Sequence, residues 1–230
     1  MLIVICKRGV EMIKDILVFL ENNLFSIMTA VIAIIALFQT HVQIKTSNKQ
    51  FLFDKRLDKY LLAKGLLELY KDNEKLLDYN SCPDDEAIIV DYQFINLTNN
   101  NYLKDVTCII NEPKNNDFKN AFLVKIEELK GLSTEIRFLF PNKNGRLLEI
   151  FIMKYQNILM ELYKHQIILD LMMNDTIPRK NKPTYIELQK ECGELEHRHR
   201  LYNAINELKK SYYDVLDKKA ISKIEKSIKL

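Results

Sequence analysis

Cys192-x-Glu194-x-Glu196-His197-x-His199 is the densest run of side chains in this chain that could bind a metal or move a proton. Thiolate, carboxylate and imidazole are ordinary zinc ligands, but a helix brings ligands together only at spacings of three or four. His197 and His199 are two apart and leave a helix in different directions, so only Glu196 and His199 converge. No other stretch offers a matching set, and neither a metal nor a cofactor is expected. His165 and His41 stand alone, and a lone histidine is usually a surface or hydrogen-bonded polar residue. His41 sits between Gln39 and Gln43. In lipid, buried polar groups seek partners, so these three are candidates for intramembrane contacts between helices of an oligomer.

Other chemistry is hard to place. The chain has no G-x-x-x-x-G-K-[ST], no G-x-G-x-x-G and no G-x-S-x-G. Asp84-Asp85 and Glu127-Glu128 fall where helix caps or solvated faces are expected. Non-enzymatic function is therefore the first expectation. Arg179, Lys180 and Lys182 form a cationic patch that could serve as an interaction surface, and residues 218–230 form a lysine-rich amphipathic tail. Such runs can meet anionic headgroups or nucleic acid. With 34 basic against 31 acidic residues and a net charge of +3, nucleic acid is not an expected partner. Cys6, Cys82, Cys108 and Cys192 lie far apart without a C-x-x-C pair, which fits free thiols in a reducing compartment. Asn96-Leu97-Thr98 matches a glycosylation acceptor, expected to face the cytoplasm unmodified.

The element that positions everything else is Leu24–Ile44, LFSIMTAVIAIIALFQTHVQI, within an uncharged run from Asn22 to Ile44. A spanning helix needs about 20 mostly apolar residues. The strongly apolar part, 24–38, is short alone, and Gln39, Thr40, His41 and Gln43 are tolerable only where the helix nears the headgroups. A buried core helix is the competing interpretation, but a helix apolar all round needs a large surrounding domain. A cleaved signal peptide is excluded because Glu11, Asp15 and Glu21 precede the run and no small-x-small site follows Phe38. Lys7, Arg8 and Lys14 precede the run; Lys45, Lys49, Lys55, Arg56, Lys59 and Lys64 follow it. The excess predicts a single-pass inner-membrane protein with its N-terminus outside and its C-terminal domain cytoplasmic.

Around that anchor, four regions are expected: a flank at 1–23, the transmembrane helix at 24–44, a juxtamembrane helix and helical bundle at 45–173, and a long C-terminal helix with basic tail at 184–230. In the flank, Met12, Ile13, Ile16, Leu17 and Leu20 recur at helical spacing and could lie in the interface plane. Met12 is a second candidate initiator. Five glycines and five prolines in 230 residues suit long helices. Phe53, Leu57, Tyr60, Leu61, Leu67 and Tyr70 predict the apolar stripe of a helix over about 43–79. Ser81 and Asp84 have capping-box spacing. For 87–110, two helices, with Ile88, Tyr92 and Ile95 on the core face of the first, are favoured over a hairpin, with a break at Asn99-Asn100-Asn101. Phe118 to Phe140 and Leu148 to Ile167 show clean helical faces around a turn at 142–145. Thr184 and Glu187 repeat the capping-box spacing. Leu188, Cys192, Leu195, His199, Tyr202, Ile205 and Tyr212 then form a coiled-coil-like seam.

Leu52-Phe53-Asp54-Lys55-Arg56-Leu57-Asp58-Lys59-Tyr60 and Arg137-Phe138-Leu139-Phe140 resemble two stretches of a loose group of uncharacterised bacterial single-span membrane proteins, an LF-x-KR-x-x-x-Y juxtamembrane helix and a later R-F-L-F helix. The resemblance covers about residues 24–170. It implies an α-helical cytoplasmic domain and carries over no catalytic residue. The expected fold is all-α, a transmembrane helix followed by a helical bundle. The expected function is a membrane-anchored interaction protein whose partners are the bilayer, an unidentified protein or copies of itself. The alternatives are a membrane-perturbing effector of the phage-defence or toxin type, acting through oligomerised spans, and an enzyme with an unrecognised site.

Overall fold

The computed structural model describes residues 2–77, 90–173 and 183–228, with side chains from residue 12 onward except residue 20. Every regular element among them is helical: α1 Leu2–Asn73, α2 Val90–Thr98, α3 Asn116–Leu139, α4 Lys143–Met173, α5 Tyr185–Cys192, α6 Glu194–Asp217 and α7 Ala220–Ile228, with short 3-10 turns at Glu74–Leu76 and Lys104–Ile110. The chain divides into two units, Met1–Leu52 and Phe53–Leu230.

The first unit is helix throughout its described length. No proline precedes Pro83 and no glycine lies between Gly9 and Gly65, so nothing interrupts the backbone ladder. Thr29, Thr40 and Thr46 each donate a hydroxyl proton to the carbonyl four residues earlier, at 2.8, 2.8 and 3.0 Å. A hydroxyl paired in this way needs no water, as an apolar solvent requires. The flank is no separate element, because α1 runs unbroken from Leu2 through the apolar stretch.

The second unit has its own core. Tyr70 of α1, Phe151 of α4 and Tyr212 of α6 meet with ring centroids 4.8–6.3 Å apart, and burial of each large apolar side chain contributes about 1.5–3 kcal/mol. Tyr155 donates its hydroxyl to the Leu97 carbonyl at 2.7 Å, tying α4 to α2. Antiparallel α4 and α6 pair through Lys154–Glu207 at one end and His165–Glu194 at the other. At the α3–α4 corner the Asn142 side chain accepts the amide protons of Asn144 and Gly145, both at 2.9 Å. A Cβ on Gly145 would land on the Phe140 carbonyl oxygen, so only glycine fits this turn.

Several expected details change. The long C-terminal helix is two helices, because Gly193 adopts φ +65° and turns the chain between α5 and α6. The seam shifts in part: Ile205 and Tyr212 are buried as expected, Leu195 and His199 face solvent, and Arg198, Leu201, Leu208 and Val215 join the buried face. On α1, Leu61 is exposed and Ala63 and Leu66 take the core positions. In α2, Val90, Phe94 and Leu97 are buried where Tyr92 and Ile95 were expected. The two-helix expectation for 87–110 becomes one α-helix and one 3-10 turn, broken at Asn100, whose side chain caps the amides of Tyr102 and Leu103. The amphipathic tail is helical over α7, and Ala220, Ile224 and Ile228 enter the core. The Thr184–Glu187 capping box forms. Ser81 to Asp84 lies outside the described residues.

Candidate functional site

Two places set polar groups among apolar ones. The first is the C-terminal end of the apolar stretch. At about 100° per residue, Gln39 and Gln43 share a face and His41 points about 200° away from Gln39. The face continues through Thr46 and Gln50, and these four line one groove with Phe38 and Val42. The Gln39 and Gln43 amides have no hydrogen-bond partner among the described residues. The structure therefore separates the expected trio into a glutamine pair and a lone histidine.

The second place was not foreseen. His165, Glu194 and Arg198 meet between α4 and α6 at 1%, 1% and 5% exposure. His165 Nε2 lies 2.9 Å from Glu194 Oε1. Arg198 donates from Nε at 3.0 Å and from Nη2 to both carboxylate oxygens at 2.9 Å. Gln189 of α5 donates to Glu194 Oε2 at 3.0 Å. Burial alone would raise the Glu194 pKa, but the hydrogen bonds from His165 and Arg198, with the guanidinium charge, hold it below the usual carboxylate value. Burial lowers the His165 pKa, helped by the charges of Arg198 and His197 and opposed by Glu194. A neutral His165 then donates from Nε2, and its buried Nδ1 has no partner among the described residues. Glu161 Oε2 and His197 Nδ1, nearby on the same two helices, are also buried and unpaired.

His165 and Glu194 are closed off from solvent, each 1% exposed. A substrate would have to displace core side chains to reach His165 or Glu194. The Cys192-to-His199 run is taken apart by the Gly193 turn: Cys192 ends α5, Glu194 points into the core, Glu196 pairs with Arg200 at 3.6 Å and His199 is exposed. Among the described residues no group of three or more His, Cys, Asp or Glu is placed to hold a metal. Arg179, Lys180 and Lys182 lie outside the described residues.

The ionic cluster did leave a trace in the sequence. His165 continues the α4 core seam in phase, at Ile158, Leu162, His165 and Leu169, and Glu194 and Arg198 are four apart. A histidine in an apolar seam opposite an acid–base pair at helical spacing is the pattern to look for. No protein-family model matches the chain, and neither a curated protein nor a solved structure does.

Proposed function

We propose that this chain is a membrane-anchored helical interaction protein. Its apolar stretch crosses the bilayer once, and its second unit is a cytoplasmic bundle without catalytic activity of its own. One observation carries this proposal: α1 is long and apolar enough to cross a membrane, and none of its apolar window is buried against the chain. Phe25, Ile34, Leu37 and Phe38 are 88%, 65%, 71% and 70% exposed, and in water such a surface would be an aggregation liability. The cation excess after the stretch supports a cytoplasmic bundle. The bundle serves as a docking surface held beside the membrane; the resemblance to single-span proteins implies a helical cytoplasmic domain there. Its separate core gives a test. Residues 53–230 expressed alone should stay in the soluble fraction, helical by circular dichroism and melting cooperatively. An insoluble or unfolded product would mean that the first unit is part of the core.

The glutamine face favours a second reading, in which spans associate and act on the bilayer. Two amides on one side offer matching donors and acceptors to a second copy, and interhelical hydrogen bonds in membranes contribute about 0.6–2 kcal/mol each. Gln39→Leu with Gln43→Leu should then lower cross-linked oligomer and any membrane depolarisation on overexpression, while His41→Leu leaves both unchanged. Equal effects from all three would sink the face-specific arrangement.

A further inference from the structure

We propose that the α3–α4 corner is a second, electrostatic membrane contact that docks on the anionic headgroups of the bilayer holding α1. The proposal rests on the anchor described above.

Within the second unit, Lys59 pairs with Glu135 at 2.7 Å and Arg56 Nε donates to the Leu139 carbonyl at 3.3 Å. Ascending residues of α1 thus meet descending residues of α3. The two run antiparallel, and the corner lies level with the start of the unit at Phe53. Eight residues lie between Ile44 and Phe53, so the chain ties the start of this unit closely to the end of the apolar stretch.

The chemistry of the corner suits that position. Between residues 136 and 148 there are three cations, Arg137, Lys143 and Arg146, and no acid. The side chains of Lys143 and Arg146 have no partner among the described residues. Arg137 reaches Glu149 only at 3.4 Å and is 65% exposed. All three line one open cleft of about 550 Å³ with Pro141 and Phe138. Phe138 is 77% exposed, while Phe140 beside it is 2% exposed. An aromatic ring left in water among three cations, two of them without a partner among the described residues, fits the membrane interface, where rings sit at headgroup level and lysine and arginine meet phosphate. A nucleic acid would also take the cations, but three beside a net charge of +3 give little electrostatic hold.

The chain contains no tryptophan, so Phe138→Trp introduces a single reporter. The full-length variant is reconstituted into phosphatidylcholine vesicles with or without phosphatidylglycerol. With the anionic lipid, the emission should shift to the blue and be quenched by lipids labelled at the headgroup. Each surface cation multiplies docking about five-fold, so Lys143→Glu with Arg146→Glu should cut the docked population at least roughly 25-fold. High salt should do the same. Water-like emission in both lipids, from a chain still retained by the vesicles after alkaline carbonate, overturns the corner contact and leaves the anchor standing. A blue shift that ignores both lipid charge and the double reversal also overturns it, because the ring would then be covered by another copy. Loss of the chain from the vesicles refutes the anchor instead.

Discussion

Arg198→Met is expected to destabilise the helical unit by about 3–5 kcal/mol, the cost of leaving a buried charge without its partner. Glu194 is 1% exposed and receives its strongest hydrogen bonds from this guanidinium. Without them, His165 and Gln189 are the remaining donors to the carboxylate among the described residues. Burial then dominates and its pKa rises. Chemical denaturation of the native chain and the variant at several pH values provides the test. The native cluster has its own acid signature. His165 is held below its ordinary 6.5 and Glu194 below 4.5, so the unfolded chain takes up each proton first. Stability is present above those values, falls below 6.5 as His165 protonates, and falls again below 4.5. In Arg198→Met the penalty should be largest near neutrality and shrink with acidification, because Glu194 can neutralise itself. Replacing all three members with apolar residues of similar volume should cost far less than removing the arginine alone. A penalty independent of pH would assign the loss to packing instead.

The second large effect concerns the anchor. Nine strongly apolar residues between Leu24 and Phe38 each favour insertion by about 0.3–0.6 kcal/mol, together about 3–5 kcal/mol. A lysine at the helix centre costs about 2.5–3.5 kcal/mol. Ile34→Lys with Ile35→Lys therefore removes about 6–8 kcal/mol and should abolish membrane integration. The same pair at Val42 and Ile44, near the headgroups, should have a small effect because the side chains can snorkel. Both variants leave the second unit intact, so its melting should not change. Equal retention of the two pairs would mean that depth in lipid is not what the stretch experiences.

Much of this was legible in the sequence because it is local. The apolar run, the helical faces of α3 and α4, the Thr184–Glu187 cap and the break at Asn100 all depend on residues within a few turns of one another. What was missed depends on partners far apart in the chain. The shifted faces of α1 and α2 follow from which side the bundle covers: Leu61 and Ala63 are both plausible stripe members, and only tertiary packing chooses Ala63. Gly193 looks like a tolerated glycine within a long amphipathic pattern, yet its left-handed conformation re-aims everything after it. His165 was set aside as isolated because its acid lies 29 residues away. The tail reads as amphipathic, with five lysines and five apolar residues in 218–230, but only the structure shows that Ala220, Ile224 and Ile228 dock α7 on the core.

The anchor itself is tested most directly by alkaline carbonate extraction of membranes carrying the full-length chain. Retention in the pellet, with Ile34→Lys/Ile35→Lys released to the supernatant, is the expected result. Release of the unmodified chain would contradict it and require a protein partner, rather than lipid, around residues 24–44.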